Sequence, residues 1–188
     1  MRVSTPRVAP LEEAEMTDEQ REALAPMSAD GRRPLNIFRT LARAPKALTR
    51  FNEWGSYVLS RRNSLPARER EIVILRVGYL CKSGYEFTQH TRIGLNEGLS
   101  VADIANIKKG ADAGWSAADA ALIRAADELV KGHFVSDATW KALGEHFDDK
   151  QRMDVVFTVG QYTQVSMFLN TFGVQLDPGQ TLDPDLRA

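Results

Sequence analysis

Between Ala67 and Asp177 the chain has no proline, although eight occur among its 188 residues and four of those fall within residues 1–34. Proline removes an interior helix hydrogen bond, and this stretch is rich in Ala, Leu and Glu rather than in alternating Val and Thr. It therefore predicts helices punctuated by glycine and capping residues, with no strand. Residues 1–34 read as a polar N-terminal arm carrying one short helix, opened by Thr17 with Gln20 three residues on, and the arm is expected on the surface or against a neighbour. Short helices follow at Asn36–Ala42 and from Pro45 to about Arg61, since proline suits a first helical turn. Leu65-Pro66 opens a stronger helix over Ala67–Lys82, Ser83-Gly84 breaks it, and another runs from Tyr85 to about Glu97 ahead of Gly98, so the two should form a hairpin. Ser100, Ser116 and Ser136 stand where N-caps belong, and a last helix is expected from about Asp149 to Phe172. The fold class is all-α, with about six to eight helices. The arm is followed by one helical domain over residues 35–176 and a C-terminal tail over 177–188.

A mass of 20.9 kDa suits one domain with a proper core. Twenty-four Lys and Arg against 25 Asp and Glu leave a net charge of -1, so no global field draws in nucleic acid or an anionic membrane, and neither is expected as a partner. Met1 to Pro10 lacks the apolar run of a signal peptide or anchor. The single cysteine, Cys81, excludes an intrachain disulfide and an all-cysteine zinc site and suits a reducing cytoplasm. From Val155 to Leu176 no residue is charged, yet Thr158, Gln161, Thr163, Gln164, Ser166 and Asn170 are too polar for lipid. A central core helix buried on all sides, or a helix at a subunit interface, is expected there. His90, His133 and His146 are too scattered for a metal site, and without a Gly-rich phosphate loop no nucleotide cofactor is expected. The segment from Glu97 to Ile107 has the look of half a helix-turn-helix, but no basic recognition helix follows Gly110.

The residues with chemistry in them concentrate in the predicted hairpin. A helical wheel over Ala67–Lys82 places Glu71 in an apolar sector with Ile74, Leu75, Gly78 and Tyr79, so its carboxylate points inward. Glu86 and His90, four residues apart, share a helix face with Ile93, within reach of Glu71 across the hairpin. Two carboxylates around one imidazole make a group that takes or gives a proton near neutral pH, with a carboxylate to fix the tautomer. Spacing alone reads equally as a surface Glu–His pair beside a structural ion pair. Arg61, Arg62, Arg68 and Arg70 form a basic cluster, from which one arginine could hold a substrate carboxylate.

The run from Leu65 to Leu99, with "LPARERE", "YEFTQHTRIG" and "EGL", resembles the carboxymuconolactone decarboxylase family, relatives of the alkyl hydroperoxidase D-like proteins. "LNIF" before it, and Tyr162 with the Asn170-Thr-Phe-Gly-Val stretch after it, support the match. Aligned on Glu71 and His90, the two cysteines of the peroxidase branch fall on Ser83 and Glu86, and Cys81 lies two residues too early, which implies a protein other than a cysteine-dependent peroxidase. The Tyr-Glu-Trp-x-x-His pattern of the decarboxylase branch is met by Tyr85, Glu86 and His90, with Phe87 in place of tryptophan. The resemblance implies a cofactor-free, metal-free enzyme of aromatic-compound catabolism, a carboxy-lyase acting on a small lactone acid or related ring compound. It also implies a homo-oligomer, a trimer or hexamer. His90 is the expected proton donor, Glu86 a second proton-transfer or orienting group and Glu71 the carboxylate that positions the imidazole. Tyr85 and Ser83 are expected to hydrogen-bond the substrate, and Tyr162 and Asn170 to line the pocket from the last helix. A lactone hydrolase or isomerase on the same scaffold, and a non-catalytic oligomeric interaction protein, are the alternatives.

Overall fold

The computed structural model describes residues 2–28 and 31–187; Met1, Ala29 and Asp30 of the expected arm and Ala188 of the expected tail lie outside the described residues. Among the described residues the chain is all-helical, without a strand. Its helices are α1 (Asp18–Leu24), α2 (Asn36–Leu41), α3 (Pro45–Leu59), α4 (Ala67–Leu80), α5 (Gly84–Asn96), α6 (Val101–Lys109), α7 (Ala117–Gly132), α8 (Asp137–Gly144) and α9 (Asp149–Phe172). These are one more than the expected six to eight; the two short helices expected near Thr17 and at Asn36–Ala42 are both present as α1 and α2, of 7 and 6 residues, too short to persist alone and formed on tertiary contacts. Thr17 and Gln20 close their capping box, and Ser100, Ser116 and Ser136 accept from the backbone N–H groups of Asp103, Asp119 and Thr139, as expected.

The helix at the centre is α4, not the last one. Every residue from Glu71 to Gly78 is buried, because α4 packs against α5, α6, α7 and α9 at once. Total burial obliges Arg76 to be paired. Its guanidinium donates to Asp127 Oδ2 at 2.9 Å and to the Ile107 carbonyl at 2.7 Å. The expectation that the uncharged last helix is buried on all sides is corrected. α9 buries Val155, Tyr162, Val165 and Leu169 but leaves Met153 and Met167 at 52% and 60% exposure. From Val156 onward its outer face is uncharged and half apolar rather than covered.

Two glycines set the approach of α4 to α5. A Cβ on Gly78 would lie 2.9 Å from Glu86 Oε1, and one on Gly94 would lie 2.9 Å from Leu99 Cδ1 and 3.6 Å from the Glu71 Cβ. The hairpin is therefore close enough for carboxylates on one helix to meet the imidazole on the other.

The arm packs on its own chain. Arg7 and Val8 donate from their backbones to the Phe172 carbonyl at 2.9 and 3.0 Å, and Leu11 and Leu24 form a small core with Ala42 and Leu48. The tail returns to the hairpin through Asp177, whose carboxylate accepts from the Asn36 backbone and from Gln89 Nε2, both at 2.8 Å, and from the Tyr85 hydroxyl. No helix among the described residues is long and apolar enough to cross a membrane.

Candidate active site

Glu71 on α4 is 1% exposed, and its Oε2 lies 2.7 Å from His90 Nδ1 on α5. An ionised carboxylate only accepts, so Nδ1 carries the proton in that bond and Nε2 is left to exchange one. The His90 ring stands edge-on to Tyr162 of α9, with centroids 4.8 Å apart. Both residues line a cavity of about 420 Å³ together with Glu86, Tyr85, Gln89 and Gln161, closed on its other side by apolar residues of α2, α3 and α9 such as Phe38, Phe51 and Val165. That volume suits a small organic ligand, and its lining is mostly apolar with a few convergent polar groups, as such sites require. A larger cleft of about 560 Å³, where Trp54, Phe168 and Phe172 meet Arg43 and Arg50, holds no carboxylate and no imidazole, so of the two it is the smaller cavity that brings a carboxyl and an imidazole together.

Glu86 is 2% exposed. Its Oε2 accepts from the Ser166 hydroxyl at 2.9 Å, while Oε1 is buried against Gly78 without a partner. Burial raises its pKa well above the ordinary 4.5, opposed by the Ser166 bond and assisted by the neighbouring Glu71 charge, so the group carries its proton far above the usual carboxylate range. A carboxyl with a higher pKa folded than unfolded leaves stability intact below the unfolded value and diminishes it as pH climbs from there toward the folded value. Glu86→Gln keeps an acceptor for Ser166 and cannot ionise. It is expected to melt close to wild type near about pH 4 and at progressively higher temperature than wild type above about pH 5. Thermal unfolding across this range is the check, and a Tm difference that does not grow with pH refutes it.

Among the expected ligand-contacting residues, Tyr85 and Tyr162 line the cavity. The Tyr85 hydroxyl is already bound to Asp177, and burial together with that carboxylate pushes the phenol far up, so it serves to hold the tail. Ser83 and Asn170 are not brought to the cavity. The Ser83 hydroxyl is fully buried at the turn before α5 with no partner, and Asn170 Nδ2 donates to the Cys81 carbonyl at 2.9 Å, pinning α9 to the end of α4. No arginine of the basic cluster lines the cavity: Arg68 forms a two-pronged pair with Asp119 at 2.9 and 3.1 Å, and Arg70 is near enough only to act through charge on Tyr162. Arg92, which the cluster did not include, is the arginine on the cavity wall. His133 caps α7, with Nδ1 3.2 Å from the Leu129 carbonyl, and no metal-binding group of His, Cys, Asp or Glu occurs among the described residues. Sequence reasoning missed Gln161, Gln89 and Ser166. The polar residues inside the uncharged run at 155–176 were the signal, since a buried Gln or Ser needs a partner or a ligand.

The fold is shared with several solved proteins. An uncharacterized peroxidase-related protein from Ralstonia eutropha, solved as an alkylhydroperoxidase AhpD core, superposes with a TM-score of 0.78 at 20% identity, covering 91% of this chain and 93% of that one. A peroxidase-related protein from Silicibacter gives 0.76 at 13%, covering 94% and 92%. The debrominase Bmp8 in complex with 2,3,4-tribromopyrrole gives 0.75 at 10%, covering 93% and 94%. Comparison with curated protein sequences returns no significant match. The family model for carboxymuconolactone decarboxylase matches residues 45–128, from the start of α3 into α7. The segment that builds the α4–α5 hairpin and supplies Glu71, Glu86 and His90 is therefore the part of the chain that matches the carboxymuconolactone decarboxylase family, on an AhpD-like helical fold.

Proposed function

We propose that the protein is an acid–base enzyme of the cytoplasm that decarboxylates a small lactone acid or closely related ring compound without a cofactor. The observation that carries this reading is His90 on the wall of a cavity sized for a small ring, with its Nδ1 backed at 2.7 Å by the buried Glu71. In such a substrate the electron pair left by departing CO2 flows through the ring alkene into the lactone carbonyl, and the resulting dienolate needs only a proton at carbon. His90 Nε2 delivers it, Glu71 fixes the imidazole, and Glu86, held protonated, is the second acid. Arg92 is the cation on the cavity wall suited to a carboxylate. That a protein of this fold binds a tribrominated pyrrole supports a small ring as ligand. The open cavity argues against a purely structural role, which a cavity filled by side chains would favour.

A screen of small lactone acids, monitored for released CO2 and for ring-opened product, tests the reading. CO2 release supports it. Ring opening or double-bond migration without CO2 assigns a hydrolase or isomerase instead. Thiol-dependent peroxide consumption abolished by Cys81→Ser would overturn it. Against that last outcome stands Cys81 itself, whose thiol is pushed up chiefly by burial, leaving little thiolate at neutral pH.

The outer face of α9 supports self-association. Val156 and Met167 are exposed on it, with Gly160 and Gln164 between them and no charge from 155 to 176. A homo-oligomer, a trimer or hexamer, is the proposed state, and Val156→Asp with Met167→Lys is expected to shift it toward the chain mass of 20.9 kDa in light scattering. A wild type already at that mass at every concentration removes the proposal.

A further inference from the structure

We propose that Tyr162 is a catalytic residue whose hydroxyl donates a hydrogen bond to the oxygen that becomes negative in the reaction, so that the site selects rings bearing a conjugated carbonyl; this rests on the acid–base reading above. Tyr162 is 4% exposed and lines the cavity edge-on to His90. None of the described residues hydrogen-bonds its hydroxyl, whereas Tyr57 and Tyr85 are satisfied by Asp154 and Asp177. A hydroxyl on a largely buried side chain that lines a cavity and has no protein partner is left for a ligand to satisfy. Its polarity is fixed by its surroundings. Burial first, and then the adjacent Glu71 carboxylate, push the phenol well above its ordinary value, with Arg70 the opposing cation, so it keeps its proton and acts as a donor. The nearby carboxylates do not repel an oxyanion at full strength, because Glu71 is paired with the imidazole and Glu86 retains a proton.

The balance follows. The carbon–carboxylate bond breaks, CO2 leaves, and the electron pair moves through the ring alkene onto the carbonyl oxygen. Tyr162 holds that oxygen by a hydrogen bond and keeps its own proton. His90 Nε2 then protonates carbon as the carbonyl re-forms, and the imidazole regains a proton from water. A donor aimed at charge that appears only during the reaction stabilises the transition state more than the substrate.

The test uses equilibrium binding of 4-nitrophenol, whose phenolate mimics the dienolate, against its methyl ether 4-nitroanisole, which cannot ionise. Wild-type protein is expected to bind 4-nitrophenol more tightly as pH rises through the ligand's own ionisation. Tyr162→Phe is expected to weaken phenolate binding at least about tenfold, the worth of a hydrogen bond to a charged acceptor, while leaving 4-nitroanisole little changed. Equal loss for both probes makes Tyr162 a packing residue and overturns the proposal. So does an unchanged phenolate affinity, or a wild type that binds neither probe. Should Tyr162→Phe fail to fold, the wild-type pH dependence decides, and a preference for the neutral phenol over its anion refutes the assignment. Failure of the enzymatic reading is separate, since it shows as absent turnover while the phenolate result stands.

Discussion

If the proposed decarboxylation is the reaction, replacing His90 with Gln is expected to lower turnover roughly 10²–10⁴-fold while leaving the helical fold intact. Gln is the informative replacement. Its amide can still donate to Glu71, which is 1% exposed and would otherwise be left a buried carboxylate without a partner, so lost activity is not confused with lost stability. The amide has no ionisable nitrogen to present where Nε2 stood. Glu71→Gln should cost less than His90→Gln, because it removes the tautomer lock and leaves the proton carrier. The double variant should resemble His90→Gln alone, since groups acting as a unit fail together. Circular dichroism and initial rates for the three variants measure this, and near wild-type rates from a well-folded His90→Gln protein would take the hairpin out of the chemistry.

What was legible beforehand divides along the line between local and tertiary determinants. The caps at Thr17, Ser100, Ser116 and Ser136 were readable because the interactions span three residues. The Glu71, Glu86 and His90 cluster was readable because helical periodicity fixes which residues share a face, and one short turn between α4 and α5 leaves little choice of how the helices meet. The standing of α9 was not. An uncharged run looks the same in sequence whether its far side meets its own core, another copy or water. Ser83 and Asn170 failed for a related reason, since each lies at a junction whose facing partner is set by the docking of α9 on the end of α4. Tyr85 carries the right chemistry but is occupied by Asp177, 92 residues away, a contact no local pattern encodes. The arm and tail look dispensable in composition, yet Leu11 and Leu186 are each 3% exposed.

Gly78 lies between these cases, a glycine visible inside an apolar helical run whose reason appears only in three dimensions. In an isolated helix Gly→Ala gains roughly 1 kcal/mol from propensity. Here the new Cβ would sit 2.9 Å from Glu86 Oε1 and 3.5 Å from the Phe87 backbone nitrogen. The carboxyl cannot retreat freely, because the side chain is 2% exposed and Ser166 holds its other oxygen. Overpacking of this kind costs roughly 1–3 kcal/mol, so set against the propensity gain Gly78→Ala is expected to be destabilised by up to about 2 kcal/mol. Turnover should fall as well, because the displaced carboxyl is the proposed second acid of the site. The cause is isolated by a double-mutant cycle in denaturant unfolding. Shortening the acid with Glu86→Ala leaves a cavity that the methyl introduced by Gly78→Ala partly fills, so that substitution should cost nothing or become stabilising in the shortened background. If it costs the same with and without the Glu86 carboxyl, the clash is with the α5 backbone instead, and Gly78 serves helix packing rather than the acid.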